Sequence, residues 1–126
     1  MTGAALVSHA VLVVEDEYYV ADDLRRELVK AGATVIGPAP SVERAMALIG
    51  SADRIDVAIL DINLNGDMIF PVADLLRTRG VPIVFATGYD HKVIPPRFVD
   101  VVRCEKPVSP DTVWQAAAML LRDTRP

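Results

Sequence analysis

The run Val57-Ala58-Ile59-Leu60-Asp61, continued by Ile62-Asn63-Leu64-Asn65-Gly66-Asp67, decides how this chain folds. Four consecutive apolar residues without polar alternation suit a strand covered on both faces, as in a parallel sheet between helices. Asp61 then stands where that strand surfaces. In open α/β sheets, ligands bind in the crevice beyond the carboxyl ends of the strands, so an acid here is placed for chemistry.

The same pattern occurs upstream, where Ala10-Val11-Leu12-Val13-Val14 ends in Glu15-Asp16. Between the two runs, Val20, Leu24 and Leu28 recur every four residues from Glu17 to Ala31, an amphipathic helix closed by Gly32. Ala33-Thr34-Val35-Ile36-Gly37 reads as a short strand stopped by Gly37 and Pro38. Ser41 is placed to cap a second helix with an inner stripe of Val42, Ala45, Met46 and Ile49.

Beyond Asp61, Val72, Leu75 and Leu76 mark a third helix ending at Gly80, and Val81-Pro82-Ile83-Val84-Phe85-Ala86 is another buried strand, ending in Thr87-Gly88. Pro95-Pro96 removes two N–H donors and limits any fourth helix to about a turn and a half. Phe98 to Arg103 reads as the fifth strand. Ser109 caps a last helix with Pro110 at its first position and Val113, Ala116, Ala117, Leu120 and Leu121 facing inward.

Five strands alternating with helices imply right-handed crossovers and an α/β doubly wound parallel sheet. The flavodoxin-like order 2-1-3-4-5, with helices on both faces and a short or irregular fourth helix, puts the switch point between the first and third strands. Those two strands end in Glu15-Asp16 and Asp61.

The 126 residues suffice for one domain, expected over residues 9–126 after a loose tail at 1–8. A 52% apolar content and mean hydropathy of +0.30 fit a packed globular protein. No apolar run approaches the roughly 18 to 20 residues a membrane span requires. Residues 1–9 have neither the basic nor the apolar region of a signal peptide, so the expected location is cytoplasmic. A net charge of −4 leaves no basic stripe for nucleic acid. The only cysteine, Cys104, reads as a small buried hydrophobe rather than a reactive thiol.

The proposed topology delivers Glu15, Asp16, Asp61 and Thr87 to one crevice, with Lys106 arriving after the fifth strand. Carboxylates about 4 Å apart repel by roughly 4 kcal/mol at an effective dielectric near 20, so this cluster calls for a cation. Oxygen ligands with positions open to water suit Mg²⁺. With Thr87 as hydroxyl donor, Lys106 as ammonium and Gly88 allowing close backbone approach, these are the parts for phosphoryl transfer, Asp61 being the nucleophile.

From Ala10 to about Arg122 the sequence resembles a response-regulator receiver domain of two-component signalling. The resemblance is carried by the acidic pair after the first strand, Asp61 after the third, Thr87 after the fourth and Lys106-Pro107 after the fifth. Phe85-Ala86-Thr87-Gly88-Tyr89 further resembles stand-alone receivers carrying Phe-Ala-Thr-Gly-Tyr. The resemblance implies that Asp61 takes a phosphoryl group from a phosphohistidine. It also implies that Asp16, Asp61 and the main-chain carbonyl of Asn63 bind Mg²⁺ with Glu15 assisting through water, that Thr87 and Lys106 contact the phosphoryl group, and that the Lys106–Pro107 peptide is cis. It implies as partners a histidine kinase or histidine phosphotransfer protein and a downstream protein target. The expected state is a monomer, with dimerisation on phosphorylation left open. The chain departs from the common pattern at Glu15, where Asp is usual, and at Arg103, where many receivers carry an aromatic switch residue.

Other readings of the same residues are weaker. Asp61-Ile62-Asn63-Leu64-Asn65-Gly66 matches the start of an EF-hand loop, yet the twelfth position is Val72 and a strand precedes it. A small Mg²⁺-dependent phosphatase with an aspartyl intermediate would carry a second acid where Asn63 stands. A receiver-like binding module that is never phosphorylated would have no use for the full chemical set. His9 and His91 lack a second ligand at metal spacing, and Trp114 is most simply a packing residue.

Overall fold

The computed structural model describes residue 6 and residues 8–87, 94–105 and 109–123, without the side chains of residues 87, 122 and 123. Its strands are β1 (Ala10–Val14), β2 (Thr34–Ala39), β3 (Val57–Asp61), β4 (Asn63–Leu64), β5 (Asp67–Met68), β6 (Ile83–Thr87) and β7 (Val102–Glu105). Its helices are α1 (Tyr18–Lys30), α2 (Val42–Ser51), α3 (Phe70–Thr78) and α4 (Pro110–Asp123).

The main sheet runs β2-β1-β3-β6-β7, every pair parallel. The flavodoxin-like expectation is therefore met. Alternate strand residues enter two separate cores. Leu12, Val14, Ala58, Leu60, Ile83 and Phe85 pack with Ala45 and Ile49 of α2 and with Val72 and Leu76 of α3. Val11, Val13, Val57, Ile59 and Val84 pack on the other face with Leu24 and Leu28 of α1 and Val113, Ala117 and Leu121 of α4. Both faces being covered explains why the strands read as unbroken apolar runs. Each buried Val, Leu, Ile or Phe among them contributes about 1.5–3 kcal/mol.

Local signals act as read. Ser41 Oγ accepts from Arg44 N–H at 3.1 Å at the start of α2. Ser109 Oγ accepts from Thr112 N–H at 3.3 Å at the start of α4. Of the expected tail, Leu6 is fully buried and its N–H donates to Ala31 O at 2.8 Å.

Four details differ from the sequence reading. Strand β2 continues through Pro38 to Ala39, because it is an edge strand with a register shift opposite Leu12 and Val14, where a missing N–H is tolerated. Helix α1 turns Ala21 inward while Val20 is 44% exposed. Phe98 belongs to a 3-10 helix, Pro96–Phe98, and the last strand begins only at Val102. The fully buried Phe98 ring stacks on Phe70 at 5.5 Å and meets Phe85 edge-on at 5.7 Å, so packing against α3 and β6 overrides its strand propensity. Finally, residues 63–68 form a small antiparallel hairpin, β4-β5, rather than an irregular loop. Among the described residues, no helix is long and apolar enough to cross a membrane.

Candidate phosphoacceptor and metal site

Strands β1 and β3 are neighbours, with Val14 opposite Leu60, so the residues that follow them are delivered side by side. One carboxylate oxygen from each of Glu15, Asp16 and Asp61 lies within 4.8 Å of the other two. Glu15 and Asp61 are 5% and 6% exposed, the only buried charged side chains of the described residues. Asp16 is partly exposed. Three carboxylates this close, two of them withdrawn from water, repel strongly unless a cation lies between them.

Backbone groups hold the acids in place. Glu15 N–H donates to Ala39 O of the neighbouring strand at 2.9 Å, fixing the chain as it leaves β1. Glu15 Oε2 accepts from Glu17 N–H at 3.0 Å at the mouth of α1. Glu17 is thus a residue the sequence reading passed over. No residue type marks it, because the group it offers is a main-chain N–H.

The donor set fits a hard divalent ion. All three side chains offer oxygen, and opposed oxygens around Mg²⁺ stand about 4.2 Å apart. The three oxygens all lie within 4.8 Å of one another, close enough to share one ion directly or through a bound water.

Asn63 follows Asp61 by two residues and starts the β4-β5 hairpin. Its side-chain Oδ1 accepts from Gly66 N–H at 2.6 Å. Thr87 is the last residue of β6, whose Ala86 is opposite Asp61, and its partner in β7 is Glu105, the residue before Lys106. Gly88, Tyr89, His91, Lys106 and Pro107, with the expected cis bond, lie outside the described residues, as does the Thr87 side chain.

Beside the acids, an apolar cleft of about 400 Å³ opens between α1 and α4, lined by Val20, Leu24, Ala86, Pro110 and Val113 with Glu15 and Asp61. Tyr18 and Tyr19, in the first turn of α1, are exposed, their rings edge to face at 5.2 Å. Arg103 is half-buried in β7, opposite Phe85. Cys104 is buried, and desolvation pushes its thiol pKa up, as expected of an inert packing residue. Trp114 is partly buried against the α1-side core and donates to Asp111 Oδ1 at 3.2 Å.

Comparison with known proteins gives a consistent answer. Residues 11–116 match the family described as the response regulator receiver domain. The sensory transduction protein LytT of Bacillus cereus is 37% identical over 95 residues, covering 73% of this chain and 38% of LytT. The chain thus spans about two fifths of that relative's length. The solution structure of SdrG from Sphingomonas melonis Fr1 is 38% identical with a TM-score of 0.75, covering 92% of this chain and 98% of SdrG. A BeF3-activated conformation of SdrG from Pseudomonas melonis Fr1 is 37% identical with a TM-score of 0.73, covering 96% of this chain and 99% of SdrG.

Proposed function

Because the chain belongs to the response regulator receiver domain family of two-component signalling, we propose that Asp61 is a phosphoacceptor taking its phosphoryl group from a phosphohistidine. Receivers are signalling domains rather than classical enzymes, and the reading here is one transfer followed by a change of partner. The observation that carries it is the Glu15, Asp16 and Asp61 cluster, converging within 4.8 Å from the tips of two adjacent strands. The BeF3-activated conformation of the similar SdrG supports it.

In the transfer, an Asp61 carboxylate oxygen attacks phosphorus. The phosphorus–nitrogen bond of the phosphohistidine breaks, and its electron pair returns to the imidazole. Asp16, Asp61 and the Asn63 carbonyl would hold Mg²⁺, with Glu15 acting through water. When bound, Mg²⁺ supplies positive charge beside the phosphoryl oxygens. Glu15, fixed by Glu17 N–H, orients the acidic cluster. Thr87 donates its hydroxyl, Lys106 its ammonium, and Gly88 lets the backbone close on the phosphoryl group. The modified crevice then shifts a two-state surface from β6 to α4 toward the form that binds the downstream protein. The chain works in the cytoplasm, with a histidine kinase or phosphotransfer protein as donor.

The test is incubation with Mg²⁺ and acetyl phosphate, followed by intact-mass measurement. One acid-labile phosphoryl group is expected on the wild type and none on Asp61→Ala. An equally labelled Ala variant would place the acceptor elsewhere.

A further inference from the structure

The β4-β5 hairpin has a register that bears on the metal site. In an antiparallel ladder, facing residues alternate between pairs that exchange main-chain hydrogen bonds and pairs that do not. Ile69 N–H donates to Ile62 O at 2.9 Å. At the other end, Asn65 and Gly66 have φ of 54° and 98°, the left-handed pair of a two-residue turn that joins Leu64 to Asp67. The bonded pairs are therefore Ile62 with Ile69 and Leu64 with Asp67. Asn63, opposite Met68, is the intervening pair. Its main-chain N–H and C=O accordingly point out of the hairpin, not across it.

Two anchors keep that register. Ile62, Leu64 and Ile69 are buried in the core beneath the hairpin. Above it, Asn63 Oδ1 takes Gly66 N–H at 2.6 Å, a donor that the turn's own pairing leaves over. The Asn63 side chain thus closes the loop that its own carbonyl leaves.

We propose that Asn63 is a positioning residue for the cation. Its side chain, by accepting from Gly66 N–H, locks the hairpin in the register that turns the Asn63 carbonyl outward, beside Asp16 and Asp61. The inference rests on the Mg²⁺-dependent reading above and assigns the side chain a role separate from that of the carbonyl.

The experiment is a Mg²⁺ titration followed by amide chemical shifts, on wild type, Asn63→Ala, Gly66→Ala and Gly80→Ala. Gly66 and Gly80 both have positive φ, 98° and 74°, with open space where a Cβ would stand. Alanine strains the backbone at both. Only Gly66 belongs to the hairpin. Removing a group that orients a metal ligand weakens binding by about tenfold, the loss expected of Asn63→Ala; Gly66→Ala keeps its N–H and should give a similar loss by straining the turn that presents it. Gly80→Ala should bind Mg²⁺ as the wild type does, although it melts earlier. Wild-type affinity in Asn63→Ala and Gly66→Ala would overturn the proposal while leaving the site intact. A wild type that fails to titrate, or an Asp61→Ala variant that titrates unchanged, would overturn the underlying reading as well. Should Asn63→Ala not fold, Gly66→Ala decides.

Discussion

Replacing Asp61 by Asn should make the metal-free protein more stable while removing its response to Mg²⁺. The two effects have one origin. With carboxylate oxygens no more than 4.8 Å apart, each pair repels by at least about 3.5 kcal/mol at an effective dielectric near 20. Neutralising Asp61 relieves two such pairs. Partial exposure of Asp16 and the hydrogen bonds that the acids accept reduce the net gain to about 1–2 kcal/mol. For a chain of this length that is roughly 3–8 °C in Tm. Mg²⁺ at a hundred times its Kd should stabilise the wild type by about 2.7 kcal/mol. Thermal melts at neutral pH with EDTA and with excess Mg²⁺ read both quantities. The account predicts a higher Tm for Asp61→Asn than for wild type in EDTA, and the reverse order in Mg²⁺. A variant that melts lower in EDTA, or a wild type whose Tm ignores Mg²⁺, would refute the electrostatic reasoning.

Three further outcomes test the architecture. Phe98→Ala empties the aromatic cluster shared with Phe70 and Phe85 and should cost about 3–5 kcal/mol in urea unfolding. Ser41→Ala removes the cap on Arg44 N–H and should cost about 1 kcal/mol, read as a lower urea midpoint at unchanged slope. Cys104 has a pKa raised by burial above its ordinary value of 9.0, so its thiol stays protonated in the fold where the unfolded chain ionises. Stability should therefore be level below about pH 9 and fall above it by at most about 1.4 kcal/mol per pH unit, a fall that Cys104→Ala abolishes.

The fold was legible wherever a single constraint ruled the residues. Ala10–Val14 and Val57–Asp61 are buried on both faces, so nothing competes with the apolar run as a signal, and the acids at their ends follow from chain order. Ser41 and Ser109 cap by local hydrogen bonds that need no tertiary context. Legibility failed where two constraints competed. Val20 and Ala21 both fit a helical stripe, and only the packed structure buries Ala21 while leaving Val20 on the cleft between α1 and α4. Phe98 has strand propensity, but its ring is claimed by Phe70 and Phe85 from distant parts of the chain. The hairpin was a missed local signal, because Asn65-Gly66 is the dipeptide favoured in two-residue turns.

The acids converged because β1 and β3 are adjacent, a consequence of strand order that the apolar pattern already implied. The role of Glu17 N–H was not legible. A main-chain donor leaves no mark on residue identity, and only the turn into α1 shows that it faces Glu15.

The most direct test of the central claim locates the phosphoryl group itself. The protein is phosphorylated with acetyl phosphate and Mg²⁺, reduced with borohydride, which converts an aspartyl phosphate to homoserine, and digested for peptide mass spectrometry. Homoserine at position 61, dependent on Mg²⁺ and lost when Asp16 is replaced by Asn, is the predicted result. Homoserine at Asp16 or at any other acid, with position 61 unmodified, would contradict the account.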